Sequence, residues 1–482
     1  MTRINTNVSS LIAVNTLNKN NQSLQTSLQR LSTGSRINSG KDDPAGLIAS
    51  QNLQAEQRAT QAAISNAQRA DNIIGTAEGA LGEISNLLVS LQGLVGNSAN
   101  KAGLSQDELN ANQLQVDSIL STINRISNSA SFEGVKLLNG TFDYTTSGLS
   151  TTSAFTNLSI NSAKVGASTL SVTVSVVTSA KTGELHFLGS ASGLASATTI
   201  SIAGNTGTVQ LSFASATAST DIVDSINQFT NSTGVQAVLS SNSNDIKLLS
   251  TGYGTSQFVS ATSSNTNVFT TQDTNGVTTT SSHGTNANLT VNGTKAVSDG
   301  LDVKAVFGDL LDLNITLNSS ANFVGASKTF GITGGGATFS LGAQVNTSNL
   351  ASIGIGSVNT ASLGKYVYGN QVLTLSDLGS GKIAAVNNGD TNLAQQIVTQ
   401  AVNDVAGLRG RLGAFQANTL QSTVNSLNVA LENVASSNSA ISDTDFASET
   451  ANLTRSQILT QAATSVLSQA NQSPQQVLKL LG

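Results

Sequence analysis

Residues 44–97 read PAGLIASQNLQAEQRATQAAISNAQRADNIIGTAEGALGEISNLLVSLQGLVGN, and this stretch decides the fold. Apolar and small residues recur in it at steps of three or four, as on one face of an α-helix. That stripe consists of Ala55, Ala59, Ala62, Asn66, Ala70, Ile73, Ala77, Leu81, Ile84, Leu88, Leu91 and Val95. Asp43 is the predicted helix cap, because Asp suits that position and Pro44 suits the first helical turn. A helix of about 54 residues, or about 80 Å, must lie along partner helices.

Apolar residues at helical spacing also mark both ends of the chain. The N-terminal stripe is Ile4, Val8, Leu11, Val14, Leu17, Leu24, Leu28 and Leu31, and the C-terminal one includes Leu453, Leu459, Val466, Leu467, Val477, Leu478 and Leu481. Because two such stripes cover each other only in part, the leftover apolar face indicates self-association. These residues are therefore predicted to be polymerisation contacts.

A further row of apolar residues, which we call the seam, precedes the C-terminal stripe and is predicted to pair with the long helix. It runs through Leu408, Leu412 and Phe415, shifts by one position, and continues through Val424, Leu427 and Leu431. The 3–4 alternation is typical of a coiled coil with one interruption. The matching core seam on the long helix is Leu81, Ile84, Leu88 and Leu91.

The middle of the chain, about residues 140–389, is rich in Ser, Thr, Gly, Asn and Val. Strict alternation of apolar and polar residues over 170–176, 209–213, 301–307 and 311–317 predicts half-buried strands. The fold class is therefore α+β multidomain: a discontinuous α-helical coiled-coil core from paired N- and C-terminal segments, with inserted β-rich outer domains.

Composition excludes several classes of function. Charged residues make up 10% of the 482 and the net charge is −5, so no nucleic-acid partner is expected. Without cysteine, neither a disulfide nor a thiolate metal site can form. The N-terminus lacks an apolar signal-peptide core, and no apolar run approaches the ~20 residues of a membrane span. We expect no membrane insertion, and export, if any, by a route without a cleaved signal.

The rival hypothesis is an enzyme, and few features of the sequence support it. The two histidines, His186 and His283, lie in no zinc-binding HExxH pattern. The glycines at 334–336 are not followed by the Lys and Ser or Thr of a phosphate loop. No nucleophile elbow of the GxSxG type has a plausible histidine partner. We predict no catalysis, no metal and no cofactor.

Five stretches in this order resemble the signatures of bacterial flagellin. They are STGSRINSGKDDPAGL at 32–47, FEGVKLLNG at 132–140, LRGRLGAFQAN at 408–418, DTDFASETANLTRSQIL at 443–459 and ANQSPQQVL at 470–478. More weakly, residues 195–265 resemble a small module that recurs in flagellins and hook-associated proteins. The resemblance covers about 1–140 and 390–482.

The resemblance implies a structural subunit that is exported unfolded by the flagellar type III apparatus and polymerises into the extracellular flagellar filament. It implies three parts: inner terminal helices at 1–42 and 443–482, a helical core with a β-hairpin at 43–165 and 390–442, and a variable β-rich surface at 166–389. Expected partners are further copies of the chain, the flagellar cap and hook-associated proteins, an export chaperone on the C-terminal helix, and glycans on the Ser/Thr-rich centre. A hook–filament junction protein of the same superfamily and a β-rich adhesin are the alternatives.

Three positions on the long helix correspond to the patch by which an innate-immune receptor recognises the family. Receptor-activating flagellins carry Arg and Glu where this chain has Ser90 and Gly93, whereas Leu94 agrees. We expect weak or absent activation of the flagellin-sensing Toll-like receptor.

Two further charges, Arg409 and Arg411, are interpreted as surface charges rather than as inter-subunit salt bridges.

Overall fold

The structure is a computed structural model. It describes residues 6–100, 103–149, 154–165, 169–188, 193–240, 245–308, 310–368, 371–387 and 389–481, with side chains to residue 472. Over these ranges the helices are α1 (Val8–Thr33), α2 (Pro44–Ser98), α3 (Gln106–Ser129), α4 (Ser219–Asn227), α5 (Thr230–Thr233), α6 (Thr391–Ala414), α7 (Ser422–Ser442) and α8 (Phe446–Leu481). A π-helical segment, Phe415–Gln421, joins α6 to α7.

The chain forms two compact units, and the first consists of helices and their connectors together with a short strip at 340–345. It comprises residues 1–69 and 420–482, so it holds α1, the beginning of α2, α7 and α8. The connector after α1 pairs with the connector before α8: the amide N–H of Arg36 donates to the carbonyl of Ser442 at 2.7 Å. Gly34 ends α1 in the left-handed region at φ 71°, a conformation that suits a residue without a Cβ atom.

The second unit comprises residues 70–339 and 346–419. Its helices are the remainder of α2, α3 and α6. Helix α3 starts with a capping box, in which Ser105 and Glu108 satisfy each other's backbone N–H groups. The fully buried residues on α2 include Leu81, Ile84 and Leu88, so the leucine-rich half of the long helix is the core-forming half.

The strands are β1 (Ser131–Phe132), β2 (Val135–Lys136), β3 (Tyr144–Ser147), β4 (Phe155–Ala163), β5 (Leu170–Thr178), β6 (Glu184–Phe187), β7 (Thr198–Gly204), β8 (Thr208–Phe213), β9 (Val235–Leu239), β10 (Ile246–Ser250), β11 (Phe258–Ser263), β12 (Thr271–Gln272), β13 (Ser281–His283), β14 (Asn288–Val291), β15 (Thr294–Lys295), β16 (Val297–Asp299), β17 (Asp302–Phe307), β18 (Leu311–Leu317), β19 (Ser327–Gly335), β20 (Ala337–Ser340), β21 (Leu350–Ile353), β22 (Tyr366–Tyr368) and β23 (Gln371–Leu373). The four alternating segments of the sequence correspond to β5, β8, β17 and β18.

Two β-sandwiches occupy the middle of the chain. The first has sheets ordered β15-β14-β5-β19-β3 and β16-β17-β18-β4, around a shared apolar core that includes Val172, Leu313 and Phe330. Its strands β3 and β4 precede residue 166, so the sandwich starts earlier than the boundary expected at 165/166. The physical reason is pairing: β4 completes the sheet beside β18, and it is held there by backbone hydrogen bonds that composition does not reveal.

The second sandwich has sheets ordered β12-β6-β10-β9 and β13-β11-β7-β8, with α4 against β9. Its separate core includes Ile200, Ile222 and Leu248. Strands β6 to β13 run from 184 to 283, so this sandwich extends beyond the 195–265 module at both ends.

The predicted stripe on the first half of α2 has the wrong phase. Ala55, Ala62 and Asn66 are exposed, whereas Ala63 and Ala67 one place along are buried. In an alanine-rich stretch several faces are equally apolar, so periodicity alone does not select one. From Ala77 onward, where Leu and Ile carry the pattern, the predicted and buried faces coincide.

Candidate assembly surfaces

Helices α1 and α8 pack together, and the contact between them buries small residues. Ala13 and Ser27 are buried on α1, as are Ser456 and Ala463 on α8. Several of the large apolar side chains face solvent instead. These exposed residues include Val8 (55%), Leu11 (66%), Ile12 (60%), Val14, Leu28, Ile458 (60%), Leu459 and Val466 (58%). Such apolar area on a helix pair is a candidate association surface, because burying each Leu or Val side chain contributes about 1.5–3 kcal/mol.

The predicted polymerisation residues thus divide into two groups. Val8, Leu11, Val14, Leu28, Leu459 and Val466 are exposed, whereas Leu17, Leu24, Leu31, Leu453 and Leu467 are half-buried. Ile4 lies outside the described residues, as do the side chains of Val477, Leu478 and Leu481.

Polar contacts join the two ends of the α1–α8 pair. At one end, the Nδ2 amide of Asn7 donates to the carbonyl of Ala470 at 2.8 Å, and the Ser10 hydroxyl donates to the Asn471 Oδ1 at 2.7 Å. At the other end, Arg30 Nη1 lies 3.6 Å from the carboxylate of Glu449, whose side chain is only 10% exposed. These contacts show that the two helices run antiparallel.

The seam before α8 changes phase within the helix itself. Leu408, Leu412 and Leu420 are buried, and Phe415 is half-buried. The step of five residues from Phe415 to Leu420 coincides with the π-helical segment, which accommodates one extra residue per turn. Beyond it, Val424, Leu427 and Leu431 are half-buried on α7. The interruption read from the sequence therefore has a physical basis in backbone geometry.

Asp43 lies at the start of α2. Its Oδ1 accepts a hydrogen bond from the Gly46 N–H at 2.8 Å, and its carbonyl accepts one from the Leu47 N–H. Asp42 instead closes the preceding turn, where its Oδ2 accepts from the backbone N–H groups of Asn38 and Ser39. Hydrogen bonds from Ser39 and Asn38 lower the pKa of Asp42.

The two arginines of α6 make different contacts. Arg409 bonds through Nε and Nη2 to one oxygen of Glu78 on α2, at 2.9 and 2.8 Å, and this pair is partly exposed. Arg411 is half-buried and its Nη1 donates to Oδ1 of Asn161 on β4. The Asn161 amide in turn donates to Asp312 on β18 at 3.0 Å. The interpretation of Arg411 as a surface charge is therefore wrong, because it links a helix to the first sandwich.

The environment of Arg411 is a cleft of about 780 Å³ that also contains Asp143, Asp312 and Asp404. Burial lowers the pKa of Arg411, and the negative charges of Asp312 and Asp143 oppose that shift. Burial raises the pKa of Asp404, opposed by hydrogen bonds from the N–H of Gly364 and from Gln400. In this cleft the carboxylates of Asp312 and Asp143 thus partly compensate for the burial of the Arg411 charge.

Polar side chains on one face of α3, which sequence reasoning missed, hold the chain segment that returns from the sandwiches. The buried Gln113 amide donates to the carbonyl of Leu378 and accepts from the N–H of Val386 at 2.8 Å. Asp117 accepts from the N–H of Ser380, and Asn124 accepts from the N–H of Thr360 at 2.9 Å. The sequence contained a signal for this role, because helical spacing places Gln113, Asp117 and Asn124 beside the buried Leu109, Val116 and Ile123 of α3.

The positions that correspond to the receptor patch lie on α2. Ser90 and Gly93 are exposed, and Leu94 is half-buried. The Ser90 hydroxyl donates to the carbonyl of Asn86 in its own helix. A Cβ atom added at Gly93 would meet nothing within 4 Å, so no close packing requires this glycine.

The two histidines belong to the second sandwich. His186 on β6 lies 2.9 Å from the carboxylate of Glu184, which Lys247 also contacts, and His283 on β13 lies against the ring of Phe258. Among the described residues, no group of three or more His, Cys, Asp and Glu side chains could hold a metal ion. No helix in those same ranges is long and apolar enough to span a membrane.

Comparisons with known proteins agree with this architecture. The family model of the bacterial flagellin N-terminal helical region matches residues 4–143, and that of the C-terminal helical region matches 395–481. Flagellins of Salmonella typhimurium and Salmonella rubislaw are 32% and 31% identical over 521 and 516 residues, each alignment covering 99% of both chains. Flagellin D of Vibrio anguillarum is 30% identical over 486 residues, with the same coverage.

Solved structures align less closely. FliC from Burkholderia pseudomallei covers 73% of this chain and 99% of its own at 17% identity, with a TM-score of 0.23, which is too low to support an argument. The sequence relatives span nearly the whole chain, including the β-rich middle. The chain belongs to the bacterial flagellin family.

Proposed function

We propose that this flagellin is the structural subunit that polymerises with copies of itself into the extracellular flagellar filament. Its relatives over 99% of the chain are flagellins. The observation that supports self-assembly most directly is the α1–α8 pair, in which small residues are buried and large apolar residues are exposed. A neighbouring subunit would remove that apolar area from water.

Seeded polymerisation tests this function. Purified monomer is mixed with short filament fragments and salt, and the products are examined by negative-stain electron microscopy. Long tubes are expected. A monomer that stays free in the presence of seeds but binds the ends of hooks would instead identify a hook–filament junction protein.

We extend the proposal to three further kinds of partner. The exposed apolar face of α8, including Ile458, Leu459 and Val466, would be covered by an export chaperone before assembly. Growth at the filament end would bring the subunit against the flagellar cap, and the hook-associated proteins would bind the first subunits. The family is structural, and we propose no catalytic step. Co-purification of a chaperone with the full chain, and its loss on truncation after residue 446, would test the first of these contacts.

A further inference from the structure

Pro474 leaves one backbone carbonyl of α8 without its usual hydrogen-bond donor in the helix. Helix α8 continues through this residue to Leu481. Because proline has no N–H, the carbonyl four residues earlier, that of Ala470, loses its partner in the helix. The Nδ2 amide of Asn7 supplies the replacement, donating to the Ala470 carbonyl at 2.8 Å. The hydrogen bond that proline removes from one helix is thus restored by the other.

The Asn7 side chain forms hydrogen bonds with both helices. Its Oδ1 accepts from the N–H of Ser10 at 3.0 Å and so caps the start of α1, while its Nδ2 reaches Ala470. In consequence, the first turn of α1 lies opposite Ala470 and Asn471, about one turn before Pro474 in α8. If α1 slid by one turn, about 5.4 Å, the amide would face a carbonyl that already has a helical partner.

The opposite end of the pair carries a second specific contact. Arg30 faces Glu449, and their side chains are 28% and 10% exposed. Loss of a partner from a buried ion pair leaves an uncompensated charge, so a slip would be strongly unfavourable here too. Between the two ends the fully buried residues are small, namely Ala13, Ser27, Ser456 and Ala463, and the leucines beside them, such as Leu17 and Leu24, are only half-buried. Small buried residues distinguish poorly between neighbouring registers.

We propose that the antiparallel register of α1 on α8 is set at its two ends, by the Asn7 amide on the Ala470 carbonyl that Pro474 frees and by the Arg30–Glu449 pair. Asn7 and Arg30 are positioning residues: they determine which apolar side chains of the two helices lie side by side. A fixed register makes the exposed apolar face the same in every subunit. The inference rests on the proposed function, because it concerns the face that assembles.

The register can be read with a disulfide, because the chain has no cysteine of its own. Ser10→Cys together with Asn471→Cys replaces two side chains whose oxygen atoms lie 2.7 Å apart. Filaments of this reporter protein are oxidised, and the disulfide yield is measured on a denaturing gel. We expect a high yield in the reporter alone.

The decisive variant is Asn7→Asp in the reporter. Aspartate caps a helix as well as asparagine does but cannot donate to a carbonyl. We expect the disulfide yield to fall about fivefold, the factor that corresponds to one net hydrogen bond. Asn18→Asp, which adds the same charge at an exposed position of α1, is the matched control and should leave the yield unchanged. An unchanged yield with Asn7→Asp would overturn the proposal.

A double variant tests the link to proline. Pro474→Ala returns an N–H to α8, so the Ala470 carbonyl regains its helical partner. If Asn7 acts through that carbonyl, Asn7→Asp combined with Pro474→Ala should lower the yield no further than Asn7→Asp alone. Two additive losses would show that the residues act independently, and would contradict the proposal.

Charge reversal tests the other end without a reporter. Arg30→Glu leaves two carboxylates facing each other, and we expect the critical concentration for seeded polymerisation to rise about a hundredfold. Adding Glu449→Arg should restore it to within about threefold, whereas Lys19→Glu, a reversal at an exposed site of α1, should have little effect. Failure of the double reversal to restore polymerisation would contradict the register role. Failure of the unaltered chain to polymerise would contradict the proposed function instead.

Discussion

The two helical regions of this flagellin bury opposite kinds of side chain. In the second half of α2, large residues such as Leu81, Ile84 and Leu88 are fully buried within one chain. In the α1–α8 pair the buried positions are Ala, Ser and, at one end, Glu449, whereas Leu11 and Ile458 are at least 60% exposed. The first region completes its apolar core by itself. The second region leaves large apolar side chains in water, and we propose that other copies of the chain cover them.

Removal of α8 should produce the largest difference between these regions. A chain without residues 447–482 should form no filaments, because the apolar face of the terminal pair is lost. Both β-sandwiches should stay folded, since their cores draw only on residues from 144 to 332. Electron microscopy with seeds checks the first expectation and thermal melting followed by circular dichroism checks the second. Filaments from the truncated chain would contradict it.

Matched leucine truncations sharpen the comparison. Leu88→Ala should lower the free energy of unfolding of the monomer by about 2–5 kcal/mol, because it leaves a cavity in a closed core. Leu11→Ala should change monomer stability by less than about 0.5 kcal/mol. It should instead raise the critical concentration about tenfold, through apolar area that is buried only in the polymer. Denaturant unfolding and sedimentation measure the two quantities. The reverse pattern would show that the exposed face is not the assembly face.

The arginines of α6 offer a smaller contrast inside the second unit. Arg411→Ala should destabilise the monomer by about 2 kcal/mol, since it leaves Asn161 and Asp312 without their charged partner. Arg409→Ala, two residues away, should cost less than about 1 kcal/mol because the Glu78 pair is partly exposed. Denaturant unfolding at low and high salt compares them. Equal losses, or losses equally sensitive to salt, would contradict this assignment.

The smallest expected effect concerns the receptor-equivalent positions. Gly93→Ala should stabilise α2 by about 1 kcal/mol, because the added methyl group meets open space and alanine favours helix. The unaltered chain should activate the flagellin-sensing Toll-like receptor weakly, since Ser90 and Gly93 offer no charged contact. A reporter-cell assay against an enteric flagellin measures the response. A response of equal strength would contradict the second expectation, and destabilisation would contradict the first.

How far the sequence could predict the structure depended on the side chains that carried each pattern. Leu81 to Leu91 fixed the phase of α2, but the alanines before residue 70 did not, because alanine marks no preferred face. The alternating strands were visible, whereas the pairing of β4 with β18 and the role of Arg411 depended on contacts about 150 and 250 residues apart along the chain. Asn7 could not be recognised as a partner of Ala470, since that contact joins residues 463 positions apart.

The π-helical segment at Phe415–Gln421 has a consequence for how this chain tolerates insertions and deletions. It adds one residue to an otherwise continuous helix, so the apolar positions of α7 come one residue later than the spacing in α6 would place them. Deleting a single residue there would restore regular α-helix and shorten the step from Phe415 to the next buried leucine from five residues to four, which an α-helix places on the same face. Val424, Leu427 and Leu431 would therefore stay in the seam. A one-residue deletion inside α7, where the helix is regular, would instead rotate every later side chain by about 100°. The π-helical segment is thus a point at which the helix tolerates a one-residue deletion without changing the face that its apolar side chains share.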